Sequence, residues 1–250
     1  MLPDGYYNMD CMEGMKQFPD NYFDLAIVDP IYGDVTRGGY MNDRQAGKKV
    51  GTGVAVRRNY NNAIWDQKKT GGDYFKELFR VSKNQIVWGG NYFTGHLRPS
   101  QCWVVWDKVH PEGIKFADCE LAWTSFDRAA KMFRFMWNGM LQGDMKNKEQ
   151  RLHPTQKPTK LYEWLLENFA NAGDRILDTH VGSASSLIAC RNTGHPYVGF
   201  EINKEYYELS KKRLSDAEAQ MNIFDFGSQA RGETFKEQVF DSWEQGGYDE

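Results

Sequence analysis

The chain has no run of about 18 apolar residues and no charged, apolar and small-residue succession at its start. A bilayer-spanning helix and a secretory leader are therefore not expected. Cysteine is sparse: Cys11, Cys102, Cys119 and Cys190 show no paired spacing. That excludes a disulfide framework and a zinc motif, so no metal is expected, and a reducing cytoplasm is the expected compartment. Buried thiols fit these cysteines better than a nucleophile does. There is no excess of positive charge, since 31 Lys and Arg face 34 Asp and Glu for a net charge of -3. No global basic field advertises nucleic acid. No internal repeat appears, which excludes solenoids. At 250 residues, a single α/β domain is the simplest architecture.

What is present begins at residues 25–33, Leu-Ala-Ile-Val-Asp-Pro-Ile-Tyr-Gly. Four apolar residues followed by turn formers predict a buried strand. At its carboxyl end, where open α/β sheets bind ligands, stand the acid Asp29, the rigid Pro30 and the aromatic Tyr32. An acid beside an aromatic ring suits a planar group that carries an exocyclic amine. The ring stacks on the plane, while the acid or a neighbouring carbonyl accepts the N–H protons.

Residues 174–201 parse as a βαβ unit: a strand ending at Asp178, a small-residue loop through Gly182, a helix stopped by Gly194, and a strand ending at Glu201. Gly182, Ser183 and Ala184 let a cofactor approach the backbone where a helix begins. Glu201 lies about 20 residues beyond Asp178, where an acid reaches ribose hydroxyls in such units. The loop holds only one glycine of the G-x-G-x-x-G pattern. Pyrophosphate recognition is unsupported, and a nucleoside without phosphates fits better.

Asp29-Pro30-Ile31-Tyr32 is similar to the Asp-Pro-Pro-Tyr motif of the amino-methylating DNA methyltransferases. Residues 178–186, Asp-Thr-His-Val-Gly-Ser-Ala-Ser-Ser, resemble their cofactor loop, usually Asp-Pro-Phe-x-Gly-Ser-Gly-Thr-Thr. His153-Pro154-Thr155-Gln156-Lys157-Pro158 matches a third block, in the family's place just before the cofactor strand. The catalytic motif precedes the cofactor motif, as in the β class, and phage-type members are the nearest. Smaller echoes are Trp88-Gly89-Gly90-Asn91-Tyr92-Phe93 and Glu120-Leu121-Ala122-Trp123. Three features depart from the pattern. Ile31 replaces the second Pro and regains an N–H donor. His180 stands for Phe, and Ala184 adds a methyl group where the backbone often needs positive φ.

The resemblance implies a single Rossmann-like S-adenosylmethionine-dependent methyltransferase domain over residues 1–226, with a mostly parallel, doubly wound sheet. It implies methyl transfer to the N6 amine of adenine extruded from DNA, in a prokaryotic or phage-infected cell. Asp29, Pro30 and Tyr32 would be catalytic. Asp178, Gly182, Ser183, Glu201, Thr155, Lys157 and Asp10 would border the cofactor. Open alternatives are cytosine N4, an RNA base or another amine as acceptor, and a non-catalytic nucleic-acid-binding subunit. A homodimer is one open arrangement.

Residues 37–69 concentrate Arg37, Arg44, Lys48, Lys49, Arg57, Arg58, Lys68 and Lys69 among glycines and asparagines. This composition suggests a basic loop that clamps DNA phosphates just past the catalytic motif. Further strands are expected at 85–89, 102–106, 119–125 and 131–137. Helices are expected at 159–170, with Leu161, Trp164, Leu165 and Phe169 at helical spacing, and at 203–219 with Asn203 as N-cap. Trp88, Trp103, Trp106, Trp123 and Trp137 are assigned to the core, and residues 227–250 to a polar, acidic tail.

Overall fold

The computed structural model describes residues 1–32, 70–110, 117–138, 141–153 and 155–219. The basic segment 37–69, with Arg37, Arg44, Lys48, Lys49, Arg57 and Arg58, lies outside the described residues, as does the tail at 227–250.

Eight strands form one sheet in the order β1-β10-β9-β2-β3-β5-β4-β6. In chain order they are β1 (Gly5–Asn8), β2 (Phe23–Val28), β3 (Ser82–Trp88), β4 (Trp103–Asp107), β5 (Cys119–Thr124), β6 (Lys131–Arg134), β9 (Ile176–Asp178) and β10 (Tyr197–Glu201). A separate two-stranded ribbon joins β7 (Trp137–Asn138) to β8 (Leu141–Gln142). All neighbours in the large sheet run parallel except β5, which is antiparallel to both β3 and β4. The helices are α1 (Cys11–Met15), α2 (Gly72–Val81), α3 (Thr159–Phe169) and α4 (Ser185–Asn192), with α5 over 204–219.

The central strands are apolar throughout because both faces are covered. Along β2, Leu25 and Ile27 join one core with Leu161, Leu165 and Phe169 of α3 and Ala189 of α4. Phe23, Ala26 and Val28 join the other, with Met15 of α1 and Tyr74, Phe75 and Leu78 of α2. The alternation follows the pleat. Helices on both faces of a mostly parallel sheet make the doubly wound α/β fold that the βαβ pattern predicts.

Several boundaries move. The third strand starts at Ser82 instead of 85, because α2 runs into it without a loop and the Ser82 hydroxyl donates to the Leu78 carbonyl at 2.5 Å. The segment 131–137 is not one strand. The chain leaves the sheet edge after Arg134, and Trp137 turns to pair with Gln142, its indole donating to the Gln156 carbonyl at 2.8 Å. Four of the five tryptophans are buried, whereas Trp103 is half-buried against the α2 side. In α5, Asn203 accepts the Tyr206 N–H at 3.0 Å, the expected N-cap geometry.

Candidate active site

Strands β2 and β9 lie side by side, with Leu25 opposite Ile176 and Ala26 opposite Leu177. From β9 the chain winds outward to β10, and from β2 it winds outward to β3 in the opposite direction. Such a switch point opens a crevice at the carboxyl ends of the strands. Asp29 stands on one side of it and Asp178 on the other.

On the β2 side, the Asp29 carboxylate has both oxygens engaged. Tyr32 donates its hydroxyl to Oδ1, and Lys157 donates its ammonium to Oδ2. The Lys157 side chain is only 3 % exposed and makes a second ion pair with Glu120 Oε2 at 3.3 Å. Glu120 in turn meets Lys108 at 2.5 Å, so four groups of alternating charge line one wall. Burial would raise the Glu120 carboxyl, but the Lys157 and Lys108 ammonium groups outweigh it and bring the pKa down to about 2. Burial likewise opposes the charge on Lys157, yet Asp29 and Glu120 prevail and hold its pKa above the ordinary lysine value.

The Tyr32 ring stacks on Tyr92 with centroids 5.1 Å apart and lies against the backbone of Gly89. Gly89 sits at φ +64°, and a Cβ there would fall inside the Tyr32 ring. Both requirements select glycine. Burial, and then the Asp29 charge, push the Tyr32 phenol well above its ordinary pKa, so the hydroxyl stays protonated and donates.

On the β9 side, Asp178 is 3 % exposed and accepts from Ser186 Oγ at 2.5 Å and from the His180 N–H at 2.9 Å. Burial pushes its pKa up to about 7. Glu201, at the end of β10, accepts the N–H groups of Gly182 at 2.9 Å and Asn203 at 2.8 Å, and burial raises its pKa. Gly182 and Ala184 both adopt positive φ, +55° and +62°. The alanine therefore takes up the left-handed turn where the resemblance expects glycine. Behind this loop, Arg213 of α5 donates to the Ser183 carbonyl at 2.6 Å and to Ser185 Oγ at 2.9 Å, while pairing with Glu149 at 2.5 Å. Glu149 also accepts the Thr159 N–H at 2.9 Å. One guanidinium thus ties the loop to the start of α3.

The expected site residues divide. Asp178, Gly182, Ser183 and Glu201 form one loop cluster, and Asp10 caps α1 just beyond β1, accepting the Met12 N–H at 2.7 Å. Thr155 is exposed and meets His153 Nδ1 at 3.0 Å. Lys157 departs from the cofactor-side expectation, because its contacts go to Asp29 and Glu120. The Tyr32 ring packs on Tyr92 and Gly89, so its described state is not an open stacking face. Glu120, Lys108, Tyr92 and Arg213 went unassigned from the sequence. A glutamate inside the apolar run 119–124 was a signal for Glu120, whereas nothing local marks Arg213.

Residues 98–212 match the family model described as DNA methylase. The type II methyltransferase M.HpaI of Haemophilus parainfluenzae is 42% identical over 79 residues, which cover 32% of this chain and 24% of that protein. Type II methyltransferase M2.DpnII of Streptococcus pneumoniae is 35% identical over 92 residues, 37% of this chain and 34% of that protein. The matched part of the chain thus spans only a quarter to a third of the length of these curated relatives. Among solved structures, TTHA0409 from Thermus thermophilus, a putative DNA modification methylase by title, superposes with a TM-score of 0.54. The superposition covers 86% of this chain and 95% of that one at 17% identity, a likeness of fold.

Proposed function

The chain is a relative of the amino-methylating DNA methyltransferases, and from that premise we propose that it transfers the methyl group of S-adenosylmethionine to the N6 amine of adenine in DNA. Residues 1–226 would be the catalytic domain. The observation that carries the reading is the position of Asp29, at the carboxyl end of β2 and across the switch point from the Asp178–Glu201 loop.

The donor set of that loop fits the cofactor. Asp10, Glu201 and Asp178 follow or end three neighbouring strands, β1, β10 and β9. Carboxylates there suit ribose hydroxyls and a nearby positive charge, and would repel phosphates. Each oxygen of Glu201 carries one recorded hydrogen bond and has capacity for another. Gly182, Ser183 and Thr155 would border the same molecule. S-adenosylmethionine would supply a methyl group already activated on a sulfonium, so the protein's task is alignment and electrostatics.

On the other side, an amine conjugated to a base has little free lone pair. N–H bonds to the Asp29 carboxylate and the Pro30 carbonyl localise that pair on nitrogen. The Tyr32 hydroxyl occupies Asp29 Oδ1 in the described state. It must yield that oxygen to the amine, which leaves the ring to flank a base extruded from the duplex. Arg37, Arg44, Lys48, Lys49, Arg57 and Arg58 would hold phosphates. Adenine is favoured over cytosine because the motif begins with Asp29, an analogy with the family.

Radiolabelled methyl transfer to DNA, followed by nucleoside analysis, tests the reading. N6-methyladenine is the expected product, and Asp29→Ala should lower the single-turnover rate by about two to four powers of ten while S-adenosylmethionine still binds. Label in N4-methylcytosine would correct the base. A folded Asp29→Ala chain of wild-type rate would remove the central residue from the reading.

A further inference from the structure

The wall beside Asp29 contains a group to which the functional reading gives no work. Glu120 lies on β5, directly opposite Trp106 of β4 in an antiparallel ladder, so its place is fixed by backbone pairing. It shares one cation with Asp29: Lys157 reaches Asp29 Oδ2 and Glu120 Oε2, with the Trp88 ring 5.2 Å from the same nitrogen. We propose that Glu120 is a positioning residue for the transfer step, holding the Lys157 ammonium so that the Asp29 carboxylate can turn to the target amine. This inference rests on the methyltransferase reading of the site.

The argument begins with the occupancy of Asp29. Its Oδ1 contact is a neutral hydroxyl on a rotor, which an incoming N–H can replace at little cost. Its Oδ2 contact is a cation that is 3 % exposed and has no water to retreat into. Pulling a carboxylate away from a buried ammonium with no other anion in reach costs several kcal/mol. Glu120 supplies the other anion, at 3.3 Å, so the ammonium stays paired when Asp29 moves. The Lys108 ammonium 2.5 Å from Glu120 Oε1 keeps that carboxylate ionised, in agreement with its depressed pKa. Lys108 is itself steadied 5.2 Å over the Trp106 ring. The four charges sum to zero, so the wall adds little net field at a cationic methyl donor, while the placement of charge within it can still shift.

The test is Glu120→Gln in the full chain, which keeps shape and hydrogen bonding but removes the charge. Single-turnover methyl transfer should fall about 10- to 100-fold, as it does when outer partners of a reactive group are removed. Affinities for S-adenosylmethionine and DNA, measured by calorimetry and anisotropy, should stay within about threefold. Lys108→Met removes an ion pair of the same wall but leaves the Glu120 charge, and should lose far less rate. A merely structural role predicts instead that both variants lose rate in step with a lowered Tm, and that result would overturn the inference. So would a Glu120→Gln chain of wild-type rate. If Glu120→Gln does not fold, Glu120→Asp decides: a carboxylate drawn back by one methylene should slow transfer with unchanged affinities, and an unchanged rate overturns the inference. Should the wild-type chain bind S-adenosylmethionine and DNA yet transfer nothing, the functional reading itself fails, before any variant is compared.

Discussion

Replacing Asp178 by Asn should stabilise the cofactor-free protein at alkaline pH and leave it poor at binding S-adenosylmethionine. Burial lifts the Asp178 carboxyl from 3.8 to about 7. A folded-state pKa above the unfolded one means that the native state holds the proton over that interval. The stabilisation is complete below about pH 4 and is lost as pH rises through 7. Roughly three pKa units at 1.36 kcal/mol each give about 4 kcal/mol of destabilisation at pH 8 and above. Asparagine avoids it without losing a partner. Its carbonyl can accept the His180 N–H, and its amide can donate to Ser186 Oγ once that hydroxyl rotates. His153 and His180, both pushed down to about 4 by burial, contribute stability present above 6.5 and lost as pH falls towards 4. They are common to both proteins and cancel in the difference. Urea unfolding at pH 5 and pH 8.5 should therefore show Asp178→Asn near wild type at the lower pH and about 2–4 kcal/mol more stable at the higher. Calorimetry should show S-adenosylmethionine affinity reduced about 10- to 150-fold, the cost of a lost charge-assisted hydrogen bond. A variant less stable than wild type at pH 8.5, or a difference independent of pH, would refute the reasoning.

Ala184→Gly should be nearly neutral, within about 1 kcal/mol by urea titration. Relief of the left-handed strain is worth about 1–2 kcal/mol, and it is offset by a lost buried methyl and the greater backbone freedom of glycine. Arg213→Met should cost about 3–5 kcal/mol in unfolding free energy, since it leaves Glu149 unpaired. It should also weaken S-adenosylmethionine binding in calorimetry by releasing the Ser183 carbonyl. Neutralising Arg57 and Arg58 together should weaken DNA binding across sequences and flatten its salt slope by about one to two units in anisotropy titrations.

The features legible in the sequence are those set by local order. The βαβ unit announces itself because its acids, glycines and apolar runs stand in the order in which the chain uses them, and α4 and β10 fall at the expected residues. Positive φ at Ala184 was readable because the resemblance marks a glycine there. The Lys157–Asp29–Glu120 contacts were not readable, since they join β2, β5 and the segment before α3 across more than half the described chain. No period or spacing encodes that kind of proximity. Trp103 was misassigned for a related reason: it lies on β4, one strand in from the edge strand β6, where a face is only partly covered. The start of β3 was missed because a helix can pass into a strand through one capping serine without any glycine or proline to mark it.

The pairing of β2 with β9 also has a consequence for how the protein is made. Leu25 finds its β3 partner Asn84 early, but its other partner, Ile176, leaves the ribosome only after some 150 further residues. At ordinary elongation rates of about 5–20 residues per second, that interval is roughly 8–30 s. Throughout it, one edge of an apolar strand has no native neighbour, and such an edge invites pairing with other chains. Asp29 exists from the first moments of synthesis, yet the crevice it faces has no opposite bank until Ile176–Asp178 arrives. The nascent chain is therefore inert in solution until late in its own translation, and the same delay is when it is most exposed to aggregation.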